Sequence, residues 1–281
     1  NMHQSPMRIS VLGGGRMGQA LIKEIHNNPS ITLHSIIVRS GSPLIGQDVG
    51  NFVGISPMGI KFSDNLAMAI QSVDGIIDFS SPALTLQSLN ISAQHNIVHI
   101  IGTTGFSVKE NEVISSFARN APIVKSSNMS LGINFLGFLV ETAAEYLLPA
   151  KDWDFEILEM HHRRKLDSPS GTALLLGEAI ANGRKVNLTD HMVLNRHIQQ
   201  CARTEGSIGI ASLRAGSIVG EHSVVIAGEG ESITLSHSAY DRRIFARGSL
   251  TAALWAKSQI PGLYSMRDVL GIGLDKEKIN E

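Results

Sequence analysis

From Arg8 onward, short β-branched and apolar runs alternate with longer segments whose apolar positions recur every three or four residues. That alternation predicts successive βαβ units and a mostly parallel sheet. The runs 9–12, 31–38, 75–79, 97–101 and 123–125 are too short for helices and are bounded by turn residues, so they predict buried strands. Helical spacing fills 16–27, 65–72, 83–95 and 107–120, with Asp64 and Ser107 placed as N-caps. Beyond Pro149 the pattern changes. Residues 154–161, 208–214, 222–227 and 232–238 read as strands of a second, more mixed sheet, and hence as a second domain. Residues 242–258 return to helical spacing, with Ile244, Leu250, Ala253 and Leu254 available for one face that packs back on the first domain.

Composition narrows this α/β picture. The chain has 281 residues, 43% hydrophobic, enough for two domains with sizeable cores. Lys plus Arg is 24 and Asp plus Glu is 25, so no chain-wide basic excess points to nucleic acid or to an anionic membrane. A single cysteine, Cys201, excludes an internal disulfide, a zinc ribbon and a CxxC redox pair, and fits a reducing compartment. Asn1 to Pro6 lacks the basic-then-apolar design of a signal peptide, and no apolar run approaches the roughly 18 residues of a spanning helix. A soluble cytoplasmic protein is expected, with no membrane or nucleic-acid partner.

The first predicted strand runs straight into GGGRMG, residues 13–18, and then into a helix. A GxGxxG pattern in that context predicts a dinucleotide turn. Its glycines let the backbone approach a pyrophosphate, and the helix amino end offers N–H groups and a favourable dipole. The alternative is a tight strand-to-helix turn without a ligand. About 20 residues on, where an NAD-binding fold carries Asp or Glu for the ribose hydroxyls, the chain has Val38 and Arg39, with no acidic residue between Glu24 and Asp48. Arg39 can pair with a 2′-phosphate, so NADPH is expected ahead of NADH; otherwise Arg39 is a solvated loop cation.

The most unusual stretch is EMHHRRKLDSPSGTA, residues 159–173, which ends a predicted strand, crosses a polar loop and enters a helix. His161, His162, Arg163, Arg164 and Lys165 build a positive pocket for an anionic substrate, against only Glu159 and Asp167. Adjacent histidines beside carboxylates can also hold zinc, but the clustered cations argue against a metal, and none is expected. A solvated charged loop is the other alternative. It explains less well why Gly171 and Thr172 open the next helix, where exposed N–H groups suit a carboxylate. His161 and Lys165 can in addition deliver protons.

Taken together these motifs resemble the 4-hydroxy-tetrahydrodipicolinate reductase (dihydrodipicolinate reductase) family. The likeness runs through GRMG at 15–18, DFSSP at 78–82, IGTTGF at 101–106, SSNMSLGIN at 126–134, HHRRKLDSPSGTA at 161–173, RAGSIVGEH at 214–222 and MRDVL at 266–270. The resemblance implies a Rossmann-like dinucleotide-binding domain, residues 7–132 and 241–281, with an inserted α+β substrate-binding and tetramerisation domain, 133–240. It implies reduction of 4-hydroxy-tetrahydrodipicolinate, with loss of water, to tetrahydrodipicolinate in diaminopimelate and lysine biosynthesis. NADPH is the implied cofactor, with NADH possible, and a homotetramer the implied assembly.

Residue by residue, the resemblance assigns His161 as the catalytic donor/acceptor and Lys165 as the proton donor. His162, Gly171 and Thr172 fall on contacts to the dicarboxylate substrate. Gly13, Gly14, Gly15, Arg16, Met17, Arg39, Gly102, Thr103, Thr104, Ser126, Ser127, Asn128 and Met129 fall on cofactor contacts. Leu12 departs from the family, which usually has its first turn glycine there, so the bend is expected on Gly13. Ser80 and Ser81 replace a more usual Thr-Arg, and no acidic residue stands just before Arg39. Arg214 and His237 read as hydrogen-bonded surface positions on alternating strands, Trp153 and Trp255 as core or interface residues, and 266–270 as tail packing. A reductase of another small carboxylate, or a dinucleotide sensor that kept the fold without the chemistry, are the competing classes.

Overall fold

The computed structural model describes residues 4–198 and 200–272. The chain divides into two compact units, Asn1–Leu131 with Arg242–Glu281, and Gly132–Asp241. In chain order the first unit begins β1 (Met7–Leu12), α1 (Arg16–His26), β2 (Ile31–Ile37), α2 (Val49–Phe52), α3 (Leu66–Ile70), β3 (Gly75–Asp78), α4 (Pro82–Ser92), β4 (Val98–Ile101), α5 (Val108–Phe117) and β5 (Pro122–Lys125). Helix α6 (Leu131–Tyr146) leads into β6 (Asp154–His161), α7 (Gly171–Arg184), α8 (Leu188–His191), β7 (Met192–Val193), β8 (Ile208–Arg214), β9 (Gly220–Gly228) and β10 (Glu231–Ala239). The first unit then resumes with α9 (Arg243–Ala256), β11 (Gly262–Tyr264) and α10 (Met266–Leu270).

Six parallel strands in the order β11-β5-β4-β3-β1-β2 form the sheet of the first unit. Successive strand residues point to opposite faces, and both faces are covered. Ile77, Ile100 and Val124 pack with Leu21, Ile22, Leu250 and Ala253 of α1 and α9. Their neighbours Ile76, Ile101 and Ile123 join the opposite layers, with Leu66 of α3, Leu89 of α4 and Ile114 of α5. The strand order reverses beside β1, which lies between β3 and β2. This topological switch point is where open α/β sheets bind ligands at the carboxyl ends of their strands.

The second unit carries a mixed five-stranded sheet, β10-β9-β6-β8-β7, with β6 antiparallel to β9 and parallel to β8. Its inner face buries Phe155, Ile157, Ile208, Ile210, Val224 and Ile226 against Leu176 and Ile180 of α7 and Leu136 and Val140 of α6. Among the described residues no helix is long and apolar enough to cross a membrane.

Most predicted elements stand within one or two residues, the usual uncertainty of frayed ends. Two readings are corrected, and one helix is added. The cap of α3 is Asn65, whose side chain accepts from the Met68 amide at 3.2 Å, not Asp64, and the helix is a short five residues. The seam of α9 is Ala246, Ser249, Leu250, Ala253 and Ala256, whereas Leu254 is 36% exposed and Ile244 only half-buried. Helix α6 has no sequence counterpart: apolar residues lie all round it, Phe135 being 46% exposed opposite the buried Leu136 and Val140, so the amphipathic contrast is weak.

Ser107 does cap α5, in a full capping box with Glu110. Ser107→Ala is therefore expected to lower the unfolding free energy by about 1 kcal/mol, and Asp64→Ala by less than about 0.5 kcal/mol, in urea melts of the full chain.

Candidate functional site

The inward positions of β6 read Phe155, Ile157, Glu159 and His161, so the strand carries an apolar core into a polar end. Cross-strand neighbours repeat the change: Ile157 pairs with Ile210 and Val224, Glu159 with Ser212 and His222, and His161 with Arg214. Glu159 is fully buried, and a buried carboxylate must be neutralised or hydrogen-bonded. Arg214 binds it with both terminal nitrogens, at 2.8 and 2.9 Å. His161 Nδ1 lies 2.6 Å from Oε2, and the Ser170 amide donates to Oε1 at 3.0 Å. Burial pushes this carboxyl up, but Arg214, then His161, Ser212 and the Ser170 amide outweigh it and bring the pKa down to about 2.

The ionised Glu159 makes Nδ1 the protonated nitrogen of His161 and leaves Nε2 turned toward Gly220, where an added methyl would stand 3.2 Å away. His222 meets the same ring edge to face, 5.1 Å between centroids. Its pKa falls to about 4, first by burial and then through the neighbouring His161, so it is neutral at pH 7. Ser170 accepts from the Ala173 amide at 3.1 Å, which leaves its hydroxyl proton for His222 Nε2, 3.0 Å away. Ser170 thus joins the buried cluster to the first turn of α7.

Arg214 also donates to the Asp167 carbonyl at 2.8 Å, pinning the loop that follows β6. Within that loop the Lys165 amide donates to the His162 carbonyl at 3.2 Å, the Arg164 amide donates to His162 Nδ1 at 3.2 Å, and Lys165 Nζ lies 3.0 Å from Asp167 Oδ1. That lysine, more than the offsetting burial, holds the Asp167 carboxyl below the usual range. Arg163 and Arg164 are exposed, and Leu166 between Lys165 and Asp167 is 98% exposed. Gly171 and Thr172 are the first two residues of the 14-residue α7, whose macrodipole favours an anion at this end. A side chain at Gly171 would meet nothing within 4 Å.

The structure therefore gathers His161, Lys165, His162, Gly171 and Thr172 around one loop. It also shows what the sequence reading undervalued. Arg214 is a half-buried partner of Glu159 rather than a surface residue, and Ser170, Ser212 and His222 were not singled out. The signal was present: a glutamate in phase with Phe155 and Ile157 on an alternating strand is a buried charge in search of a cation. His237 is half-buried with its Nδ1 unpartnered. Donor atoms of Glu159, His161 and His222 lie within 4.8 Å of one another, a spacing a metal ion could bridge. Arg214 holds both carboxylate oxygens, so a cation entering there would have to displace a bidentate guanidinium. The donor set suits proton handling better than metal binding.

In the first unit the glycines of the turn between β1 and α1 differ in what they pack against. Gly13 has φ of +110° and passes so close to the Phe79 carbonyl that a Cβ would collide with it. Leu12 stays fully buried at the end of β1, so the bend falls on Gly13. Gly18 packs against the Gly13 carbonyl with the same lack of room, and Gly14 against Val38. Gly15, the N-cap of α1, has open space where its Cβ would be. Arg16 and Arg39 are exposed, Arg39 just past β2, while Met17 packs partly into the core. Thr104 and Ser127 are exposed beyond β4 and β5. Thr103 is buried with its hydroxyl on Asp78, and Met129 is 1% exposed, so any cofactor contact at these two belongs to the backbone. Ser126 accepts from the Asn128 amide at 3.2 Å, shaping that turn, and Ser81 caps α4 through the Leu84 amide at 3.3 Å, so the loop with Ser80 and Ser81 still follows β3.

The models described as dihydrodipicolinate reductase, N-terminus, and dihydrodipicolinate reductase, C-terminus, match residues 7–129 and 132–270. The chain is 54% identical over 272 residues to the 4-hydroxy-tetrahydrodipicolinate reductase of Sinorhizobium medicae, covering 96% of this chain and 100% of that one. It is 52% identical over 267 residues to the enzyme of the same name from Brucella abortus, covering 95% and 99%. A dipicolinate-bound dihydrodipicolinate reductase from Paenisporosarcina has a TM-score of 0.74 at 25% identity, over 92% of this chain and 97% of that one.

Glu159 titrates from an ordinary 4.5 when unfolded to about 2 when folded. Its contribution to stability is thus complete above pH 4.5 and lost as pH falls through 2. The difference in unfolding free energy between the full chain and Glu159→Gln is expected to be constant from pH 5 to 7 and to shrink between pH 4.5 and 2. A difference that does not change over that range would remove the ionised carboxylate from the account.

Proposed function

The chain belongs to the dihydrodipicolinate reductase family, and on that premise we propose that it reduces 4-hydroxy-tetrahydrodipicolinate, with loss of water, to tetrahydrodipicolinate, using NAD(P)H, in diaminopimelate and lysine biosynthesis. The observation that carries the residue assignment is Ser170. Its amide holds Glu159, the orienting partner of His161, and its hydroxyl caps α7, whose first amides suit a carboxylate. Acid and anion receptor are thereby fixed by one residue. The dipicolinate of the Paenisporosarcina relative is a dicarboxylate of the same class.

In this reading Gly171 and Thr172 take one substrate carboxylate at the amino end of α7, and His162 and Lys165 contribute to holding the anion. The dinucleotide is carried by the turn at Gly13–Gly15 with Arg16 and Met17, and by Gly102, Thr103 and Thr104 and Ser126 to Met129; the open side of Gly15 and the amino end of α1 fit a pyrophosphate. When bound, the nicotinamide supplies a hydride to C4 of the cyclic imine. The substrate is left as an electron-rich enamine that needs a proton on the adjacent carbon. Lys165 delivers it, and His161, held by Glu159 in one orientation, donates or accepts protons through Nε2. Arg39, exposed past β2 with no acid beside it, selects NADPH. The outer face of the second sheet presents Leu158, Met160 and Val225 half-buried and Leu213 half-exposed; such a face supports the homotetramer that the resemblance implied. The lone exposed Cys201 suits a reducing compartment such as the cytoplasm.

The decisive experiment follows nicotinamide absorbance as the chain meets substrate generated in place by its synthase from pyruvate and aspartate semialdehyde. Oxidation is expected only with both synthase substrates present; its absence, with cofactor bound, would overturn the reading. In the same assay His161→Gln and Lys165→Ala should each lower kcat by about 10²–10⁴, with NADPH Kd within about threefold of the parent chain. Arg39→Asp should raise the NADPH KM at least tenfold while leaving the NADH KM within a few-fold, a shift of about 1.4 kcal/mol in preference; equal effects on both cofactors would return Arg39 to the role of a solvated cation.

A further inference from the structure

One buried titratable pair in the first unit takes no part in this chemistry. His99 and Asp78 are both wholly inside, with His99 Nε2 3.0 Å from Asp78 Oδ2. Nδ1 of the same ring is buried without a partner. The ring therefore serves Asp78 through an Nε2–H donor.

Asp78 is the last residue of β3, and it gathers the turns on either side. Its Oδ1 accepts from the Ser80 amide at 3.1 Å, from the Ser80 hydroxyl and from the Thr103 hydroxyl at 3.1 Å. Its carbonyl accepts from the amides of Gly102 at 2.8 Å and Thr103 at 3.2 Å. Thr103 Oγ1 stands 3.0 Å from the Ser80 amide and 3.1 Å from the Thr85 hydroxyl, closing the network over α4. The next residue, Phe79, lays its ring against Gly102, where a Cβ would collide, as its carbonyl does against Gly13. Residues 78 and 79 thus fix three turns relative to one another: 13–15, 79–81 and 102–104. Nearly every link runs to backbone or to a buried hydroxyl, so what the network sets is the direction of backbone amides.

We propose that His99 is a positioning residue for the dinucleotide: by donating Nε2–H to Asp78 it locks the carboxylate that holds the Ser80 and Gly102–Thr104 turns in their cofactor-binding shape. The proposal rests on reading the first unit as the carrier of the dinucleotide. His99 itself, fully buried, touches no ligand. Without its donor, Oδ2 would be an unpaired carboxylate oxygen in an apolar interior, and the carboxylate would turn to escape that cost. Such a turn releases the bonds that Oδ1 makes to the two turns.

The test compares His99→Met with His99→Gln in the full chain. Methionine fills the volume without a donor, whereas a glutamine amide places an N–H near the position of Nε2. By calorimetry, His99→Met is expected to raise the NADPH Kd about tenfold, and His99→Gln to stay within about threefold of the parent. In the coupled assay the NADPH KM should follow the Kd, while kcat at saturating NADPH and the Kd for dipicolinate change less than about twofold. Met and Gln variants that bind NADPH equally, whether well or badly, would overturn the positioning role, since a purely steric function cannot tell them apart. If His99→Met does not accumulate as folded protein, Asp78→Asn carries the same expectation, and an NADPH Kd equal to that of the parent chain overturns it. Failure of the parent chain itself to bind NADPH would overturn the dinucleotide reading together with this proposal, whereas parent binding that His99→Met leaves intact overturns the positioning role alone.

Discussion

An ionised carboxylate removed from water must find its counter-charge and its donors on the spot, and the second unit is arranged around Glu159 meeting that demand. Arg214 comes from the neighbouring strand, His161 from two residues further along the same strand, and the Ser170 amide from the far side of the loop. Each donor, once engaged, positions something else. Arg214 reaches on to the Asp167 carbonyl and pins the loop, His161 is held in one tautomer, and Ser170 sets the first turn of α7 and meets His222. Removing the carboxylate would leave a half-buried guanidinium without its partner and free three elements at once. The same charge that is costly to bury is what makes the arrangement unique.

The first unit achieves its geometry by steric means. A parallel sheet delivers its strand ends to one edge, and the turns that follow are brought together by residues too small to keep them apart, Gly13 against the Phe79 carbonyl and Gly102 against the Phe79 ring. Backbone amides, unlike side chains, cannot be re-aimed by a rotamer change, so a site built from turns must fix the turns themselves. Asp78 does so with one carboxylate and one carbonyl.

How much of this was legible follows from the kind of signal each part leaves. Strands buried on both faces and amphipathic helices impose a period, and β1 to β5, α1, α5 and the inserted mixed sheet could be read from it. Helix α6 could not, because its apolar residues surround it, and the three-residue β11 is too short to carry a period. The loop from His161 to Thr172 stood out because its chemistry is contiguous in the chain. The partners Arg214 and His222 lie more than 50 residues away from Glu159 and Ser170 respectively, brought in only by strand pairing. Asp64 was misjudged as a cap for a more local reason: two adjacent residues both have capping side chains, and only the backbone decides which one stands at the helix entrance.

Charge counting along the sequence suggested that Glu159 and Asp167 were too few to offset the cations of the loop, and the structure shows that the two acids are not equivalent. Glu159 is buried and permanently committed to Arg214, so that arginine contributes little net field to a ligand. Asp167 pairs with Lys165 at 3.0 Å but its side chain is 64% exposed, and exposed pairs are held weakly and exchange readily. An arriving carboxylate can therefore compete with Asp167 for Lys165, whereas it cannot compete with Glu159 for Arg214. In this arrangement the buried pair keeps the loop in shape while the exposed pair keeps the lysine available. The positive field left unopposed at this loop is then that of Lys165, the exposed Arg163 and Arg164 and the amino end of α7, a local balance that the net charge of −1 over the whole chain does not reveal.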